Sequence, residues 1–312
     1  MPHESPQDRC QPHEAKLVTQ CRRECREQLV DAGQLLVADG RLVDDNVAIS
    51  IYTDRGPATA DKDMNQDFIL AWRPFRSCGP RRVQLIMAVA DGVSAALYAE
   101  WAAEVACWIS ARALLTNRDQ IDAADLARFA FDSAGRAVGR LAEEIAANPA
   151  FFKPQDEFDA TWAYRLRKRR IAQTTLLLAW IDCEGLHVAS IGDAGAVCCV
   201  MQGTDIKPVG QVVAYCDLET SLVNAIGPHQ TTIRQFDGWF ETAIESQMLF
   251  VAYTDGIARG LGADPLAILD HPEMSSENGL EHPARSYTRR AIDERPNEHD
   301  DNLTLGVLLY KA

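Results

Sequence analysis

Four aspartates stand at the edges of apolar runs. Asp91 follows LIMAVA, Asp193 follows LHVASIG, Asp255 follows MLFVAYT, and Asp301 precedes NLTLGVLL. Three of them touch a glycine, as Asp91-Gly92, Gly192-Asp193 and Asp255-Gly256. Taken singly, an Asp at a strand end is usually a turn former. Taken together they say more, because an ionised carboxylate is costly to bury unpaired and no matching cluster of Lys or Arg lies nearby in sequence. If the strands lie side by side, the acids converge on one rim, where repulsion raises their pKa values or demands cations. An all-oxygen donor set favours Mg²⁺ or Mn²⁺ over zinc. Two such ions can ionise a shared water and clamp an in-line displacement at phosphorus.

The elements that must position these acids are legible as periodicity. Val47 to Tyr52, Asp67 to Trp72 and Leu85 to Ala90 read as strands. Two helical patterns follow, one from Ser94 to Leu115 with Ser94 or a neighbour as its cap, the other from Asp122 to Ala147. Asn148-Pro149 ends the second. Pro154 to Arg170 reads as irregular and closes in the basic run Arg165 to Arg170, a solvated face or an anion- or partner-binding patch. Strands resume at Thr174 to Ile181, Gly185 to Ser190, Gly195 to Met201, Met248 to Tyr253 and Asn302 to Tyr310. Many strands with two central helices give an α+β class. Residues 1–45 read as a tail or peripheral helix, with helical spacing from Lys16 to Leu36, and 46–312 as one domain.

Composition removes several functions. The 312 residues carry 31 Lys and Arg against 45 Asp and Glu, a net charge of −14, where a nucleic-acid binder needs a basic excess. No apolar run approaches the roughly 18 residues of a membrane span, and the first residues hold no apolar signal-peptide core. Nine scattered cysteines are not a disulfide framework, so the expectation is a reduced, cytoplasmic protein. A metal site at His3, Cys10, His13, Cys21 and Cys25 is disfavoured, since zinc sites use tight Cys-x-x-Cys pairs.

Seven motifs in order resemble the metal-dependent serine/threonine protein phosphatases of type 2C in their compact bacterial form. They are Asn65-Gln66-Asp67, Ala88 to Gly92, Thr174-Thr175, Ala189 to Asp193, Asn224 to Gly227, Tyr253 to Ile257, and Asp301 to Thr304. The resemblance implies a four-layer α-β-β-α sandwich, with two antiparallel sheets flanked by helices. It implies two Mn²⁺ or Mg²⁺ ions, with Asp91 bridging both and the Gly92 carbonyl on one. Asp255 and Asp301 complete the other ion's shell, and Asp193 joins Asp255 around a third, weaker ion. Asp67 matches the residue that orients metal-bound water, and Asn302 supports the loop of Asp301. The implied reaction is attack of a metal-bridging hydroxide on phosphoserine or phosphothreonine of a protein, opposing a cognate kinase. No cysteine nucleophile is needed.

The match departs in places. A metal-shell Glu is Gln66 here, and an amide oxygen brings no charge, so affinity for that ion falls. The loop after Asp91-Gly92 reads Val93-Ser94-Ala95 without two further glycines, which changes its backbone options. Lys62 stands where a phosphate-binding Arg is common, giving a point charge in place of a fork. Gln173 replaces a glycine before the paired threonines. Gly227 to Gln247 aligns with the family's mobile flap, and Trp239 and Phe240 there read as packing or as a substrate-facing lid. Two other phosphatase chemistries fit poorly: a haloacid-dehalogenase site needs a second Asp where Val93 stands, and His299-Asp300 lacks the helical histidines of a histidine-aspartate site. The alternative from another class is a catalytically weak phosphatase-like module that binds a phosphoprotein or nucleotide signal.

Overall fold

A computed structural model describes residues 14–56, 64–75, 83–117, 122–154, 158–168, 170–202, 205–212, 224–228, 235–244, 247–261, 282–294 and 301–310. The chain opens with α1 (Lys16–Ala32), then β1 (Gly33–Val37), β2 (Asp39–Val43), β3 (Val47–Asp54), β4 (Phe68–Pro74) and β5 (Leu85–Ala90). Four helices follow: α2 (Ala99–Asn117), α3 (Ala123–Ala147), α4 (Pro149–Phe152) and α5 (Asp159–Arg167). Next come β6 (Leu176–Ile181), β7 (Leu186–Ile191), β8 (Gly195–Gln202), β9 (Asp205–Val212), β10 (Gly238–Thr242) and β11 (Met248–Tyr253). The last elements are α6 (Asp255–Leu261), α7 (Pro283–Glu294) and β12 (Leu303–Tyr310).

The strands run β10-β7-β6-β5-β4-β1 and then β2-β3-β12-β11-β8-β9, all antiparallel. Among the described residues, strand pairing joins the two six-stranded halves where Val37 pairs with Asp39, across Ala38 at φ 62. That turn passes the chain from one sheet to the other. Between the sheets lies an apolar layer in which Ile49, Phe250 and Leu308 of one meet Met87, Val89 and Leu177 of the other. Strands β5, β6 and β11 are buried along their whole length because each is covered on both faces. A second core packs α1, α2 and α3 on the outer face of the first sheet, and a third packs α6 and α7 on the second. The result is the expected α-β-β-α sandwich.

The local chemistry explains the helices. Asp122 caps α3 by accepting from Asp125 N at 2.9 Å, as its type and position predict. The first central helix begins at Ala99, five residues after the expected Ser94, because 93–98 is held instead by main-chain bonds to 170–173. Pro154 to Arg170, expected to be irregular, contains α5, whose Trp162 is buried against the helical layer.

The N-terminal segment is built into the layers. Val18, Cys21, Cys25 and Leu29 of α1 face the core. Both ends of α1 are tied down: Glu144 accepts from Lys16 N at 2.7 Å and Leu17 N at 3.1 Å, and Trp72 Nε1 donates to Leu29 O at 2.7 Å. The helical expectation to Leu36 overran, since Gly33 starts β1, which pairs with β4 over five residues. A boundary at residue 45 falls between β2 and β3, themselves paired from Asp39 to Tyr52. Cys21 and Cys25 are buried free thiols, and burial pushes Cys25 up to about 11. His3, Cys10 and His13 lie outside the described residues. Among the described helices, none is long and apolar enough to cross a membrane.

Candidate metal centre and active site

Strand register gathers the acids. Phe68 pairs with Ala90, so Asp67 before β4 lies opposite Asp91 after β5. Leu176 pairs with Ile191, which puts Gly192-Asp193 at the same rim. In the second sheet Tyr253 pairs with Leu305, placing Asp255 beyond one strand end and Asp301 beyond its neighbour. Asp67, Asp91, Asp255 and Asp301 are all buried.

The two rims are fastened by polar side chains. Thr254 Oγ1 donates to Asp67 Oδ2 at 2.8 Å, and Gln66 N donates to Asn302 Oδ1 at 2.9 Å. Asn302 Nδ2 reaches Arg55 O at 2.9 Å. Asn65 accepts from Asp67 N at 3.0 Å and donates to Thr53 Oγ1 at 2.7 Å, whose hydroxyl meets Thr304 Oγ1 at 2.6 Å. Thr174 Oγ1 and Thr175 N both donate to Asp91 O at 2.8 Å, fixing the turn that carries the acid. Thr53, Thr254 and Thr304 carried no role in the sequence reading. For Thr254 and Thr304 the signal was a hydroxyl residue within the Asp255 and Asp301 motifs; Thr53 had none.

Two glycines are required by close approach. A Cβ on Gly92 would sit 2.8 Å from Gln66 O and from Ala99. A Cβ on Gly256 would sit 2.0 Å from Asn302 O, because the start of α6 presses on the Asp301 loop. Gly256→Ala is therefore expected to cost more than about 3 kcal/mol of stability, since backbone must move. A urea midpoint within error of the unmodified chain would show that this contact does not hold the loop.

The electrostatics follow from burial. Asp91 is pushed well above the usual carboxylate range, first by burial and then by Asp67, Asp255 and Asp193. Burial also raises Asp67 to about 6, against the opposing hydrogen bond from Thr254. Burial and the charge of Asp255 raise Asp193 to about 7. Asp67 lies opposite Asp91, and the charges of Asp67, Asp255 and Asp193 all act on Asp91, a crowding that carboxylates keep only with protons or cations among them.

The donors suit a hard divalent cation. Gln66 Oε1, Asp67 Oδ1, Asp193 Oδ1 and Asp255 Oδ1 are buried oxygens without a hydrogen-bond partner, and all belong to this rim. Native structures rarely leave such atoms unpaired. Even so, among the described residues no three His, Cys, Asp or Glu side chains form a ready-made metal cage. Arg259 occupies this side of the rim, its Nη2 2.9 Å from Asp255 Oδ2 and 3.2 Å from Asp301 Oδ2. The sequence reading missed Arg259. Its signal was spacing, one helical turn after Asp255.

The remaining expected residues are placed as follows. Lys62 lies outside the described residues. Arg165 Nη1 donates to Ala95 O at 3.1 Å, and Leu97 N donates to Arg170 O at 3.1 Å, so the basic run flanks the loop after Gly92. Trp239 stacks on Phe236 with centroids 5.6 Å apart and meets Trp180 at 6.0 Å, while Phe240 packs against the core between the sheets. Both aromatics are packing, carried by β10 on the edge of β7. The neighbouring Asp237 accepts from Gly192 N at 2.7 Å and is also bonded by Asn224, which ties the Asn224 segment to the Asp193 turn.

This architecture is similar to solved protein phosphatases. Serine/threonine phosphatase Stp1 from Staphylococcus aureus is 14% identical with a TM-score of 0.56, over 88% of this chain and 100% of that one. The S. agalactiae serine/threonine phosphatase is 15% identical with a TM-score of 0.55, over 85% and 100%. The Mycobacterium tuberculosis serine/threonine phosphatase PstP/Ppp is 16% identical with a TM-score of 0.53, over 86% and 100%. At these identities the likeness is one of fold. No curated protein matches the chain. A family model described as protein phosphatase 2C matches residues 58–274, well over half the length and spanning most of the acid-bearing strands, and the chain belongs to the protein phosphatase 2C family.

Proposed function

We propose that this protein hydrolyses phosphoserine and phosphothreonine esters on proteins, using two Mn²⁺ or Mg²⁺ ions held at the rim where the sheets meet. The observation that carries the reading is the gathering of Asp67, Asp91, Asp193 and Asp255 with four orphaned oxygens. Asp91 would serve both ions and the Gly92 carbonyl one of them, with Asp255 and Asp301 completing the shell of the other. Asp193 would share a weaker third ion with Asp255, and Gln66 Oε1 is a further neutral donor. When bound, the ions supply an ionised water at neutral pH and neutralise charge at the phosphoryl group.

The chain's own groups do the rest. Asp67, raised to about 6 and oriented by Thr254, is suited to hold or pass a proton near neutral pH. Asn65 and Asn302 lock the backbone of the Asp67 and Asp301 turns, so the acids are positioned before substrate arrives. Lys62 would meet the substrate phosphate as a point charge. The basic residues beside the loop after Gly92 give this acidic protein a cationic approach to its site, which suits a phosphoprotein. A cognate kinase follows from such a substrate, and the cytoplasm is the proposed setting.

The test is phosphate release from a phosphothreonine peptide with Mn²⁺, with Mg²⁺ and with EDTA. Metal-stimulated turnover that EDTA removes is the expected result. A folded protein with no turnover under either metal overturns the enzymatic reading. One observation favours the second reading, a catalytically weak module that binds a phosphoprotein or nucleotide signal: Arg259 holds two of the acids that an active enzyme needs.

A further inference from the structure

The guanidinium of Arg259 stands where a metal ion is needed. Asp255 opens α6, and the i,i+4 spacing returns Arg259 over it, with Nη2 at 2.9 Å from Oδ2. Asp301 comes from the turn before β12, yet the same Nη2 lies 3.2 Å from its Oδ2. The contact of Gly256 with Asn302 brings these two acids to one side chain. Both carboxylates are buried. One protein cation therefore bridges the pair proposed to complete one metal shell, while Asp67 Oδ1 and Asp193 Oδ1 are buried without a hydrogen-bond partner.

We infer that Arg259 is a built-in counter-cation: it neutralises the Asp255–Asp301 half of the site without metal and must be displaced before a divalent ion binds there. The inference rests on the reading of these acids as metal ligands. The physics is competition for one set of oxygens. A single positive charge shared by two carboxylates relieves their repulsion and keeps the metal-free protein folded. A divalent ion offers twice the charge but must first break a partly buried ion pair in which one guanidinium nitrogen is shared by two carboxylates. Among the described residues no cation bridges Asp91 and Asp67 in the same way, so the two halves of the site should fill at different metal concentrations. Metal supply then becomes a threshold for activity.

The experiment is calorimetric titration of the full chain with Mn²⁺, alongside melting in EDTA, for the unmodified protein, Arg259→Met and Arg259→Lys. Arg259→Met should bind the weaker Mn²⁺ about tenfold or more tightly and should melt several degrees lower in EDTA, because the acids lose their partner. Arg259→Lys should fall between, since an ammonium is a point charge where guanidinium is a fork. Equal Mn²⁺ affinity in Arg259→Met and the unmodified protein, with both binding, overturns the inference and leaves the metal site standing. Absence of Mn²⁺ binding in every form overturns the metal site and the inference with it. If Arg259→Met does not fold, unchanged affinity in Arg259→Lys overturns the inference by itself.

Discussion

Asp91→Asn is expected to abolish metal-dependent hydrolysis, by on the order of 10³-fold or more, while raising the melting temperature of the metal-free protein. The two effects share one cause. Asp91 is buried, lies opposite Asp67, and is pushed well above the usual carboxylate range by burial and by its acidic neighbours. Held there without metal, it costs the fold free energy. An amide of the same shape removes the charge and can donate to a neighbouring carboxylate, a gain of about 1–3 kcal/mol in a site of this kind. The same amide removes the charge that would bridge two ions. A positioning residue of the core would lose stability and activity together. Melting in EDTA beside a phosphopeptide assay separates the cases, and full activity in Asp91→Asn would falsify the proposed role.

The second large effect is in pH. Without metal, stability should fall as pH rises from about 5 to about 8. Asp67 and Asp193 have folded values near 6 and 7, both above the ordinary carboxylate value, with burial as the first cause. Between roughly pH 4 and those values the folded state keeps protons that the unfolded chain has released. The stability so gained is complete below the unfolded pKa and is lost as pH passes through 6 and then 7. At about 1.4 kcal/mol per unit, the two interacting acids together contribute a few kcal/mol. Lowered groups such as Asp182, where the hydrogen bond to His187 favours the charged form, act below this window. His282, lowered by burial, works in the opposite direction but is a single, partly exposed ring. Saturating Mn²⁺ should flatten the curve, because the cation replaces the protons. A metal-free melting temperature that climbs from pH 5 to pH 8 contradicts this account of the acids.

The sequence alone determined the layers and most of the acids. LIMAVA and MLFVAY are apolar without interruption because each strand is covered on both faces, and an aspartate ending such a run has to be explained by something outside the core. The helix from Asp122 was legible for a similarly local reason, since its cap and its spacing lie within one segment. Tertiary structure decided what depends on partners distant in sequence. Gly33 to Val37 carries a helical periodicity into a strand because β4 offers it an edge. Asp39 and Val37 join two sheets at a turn that local pattern cannot reveal. Trp239 and Phe240 became packing only once β10 met β7. Arg259 is the clearest case: its spacing to Asp255 is local, but its second carboxylate, Asp301, arrives from the turn before β12. Residue types set which charges must be neutralised, and only the fold decides which cation reaches them.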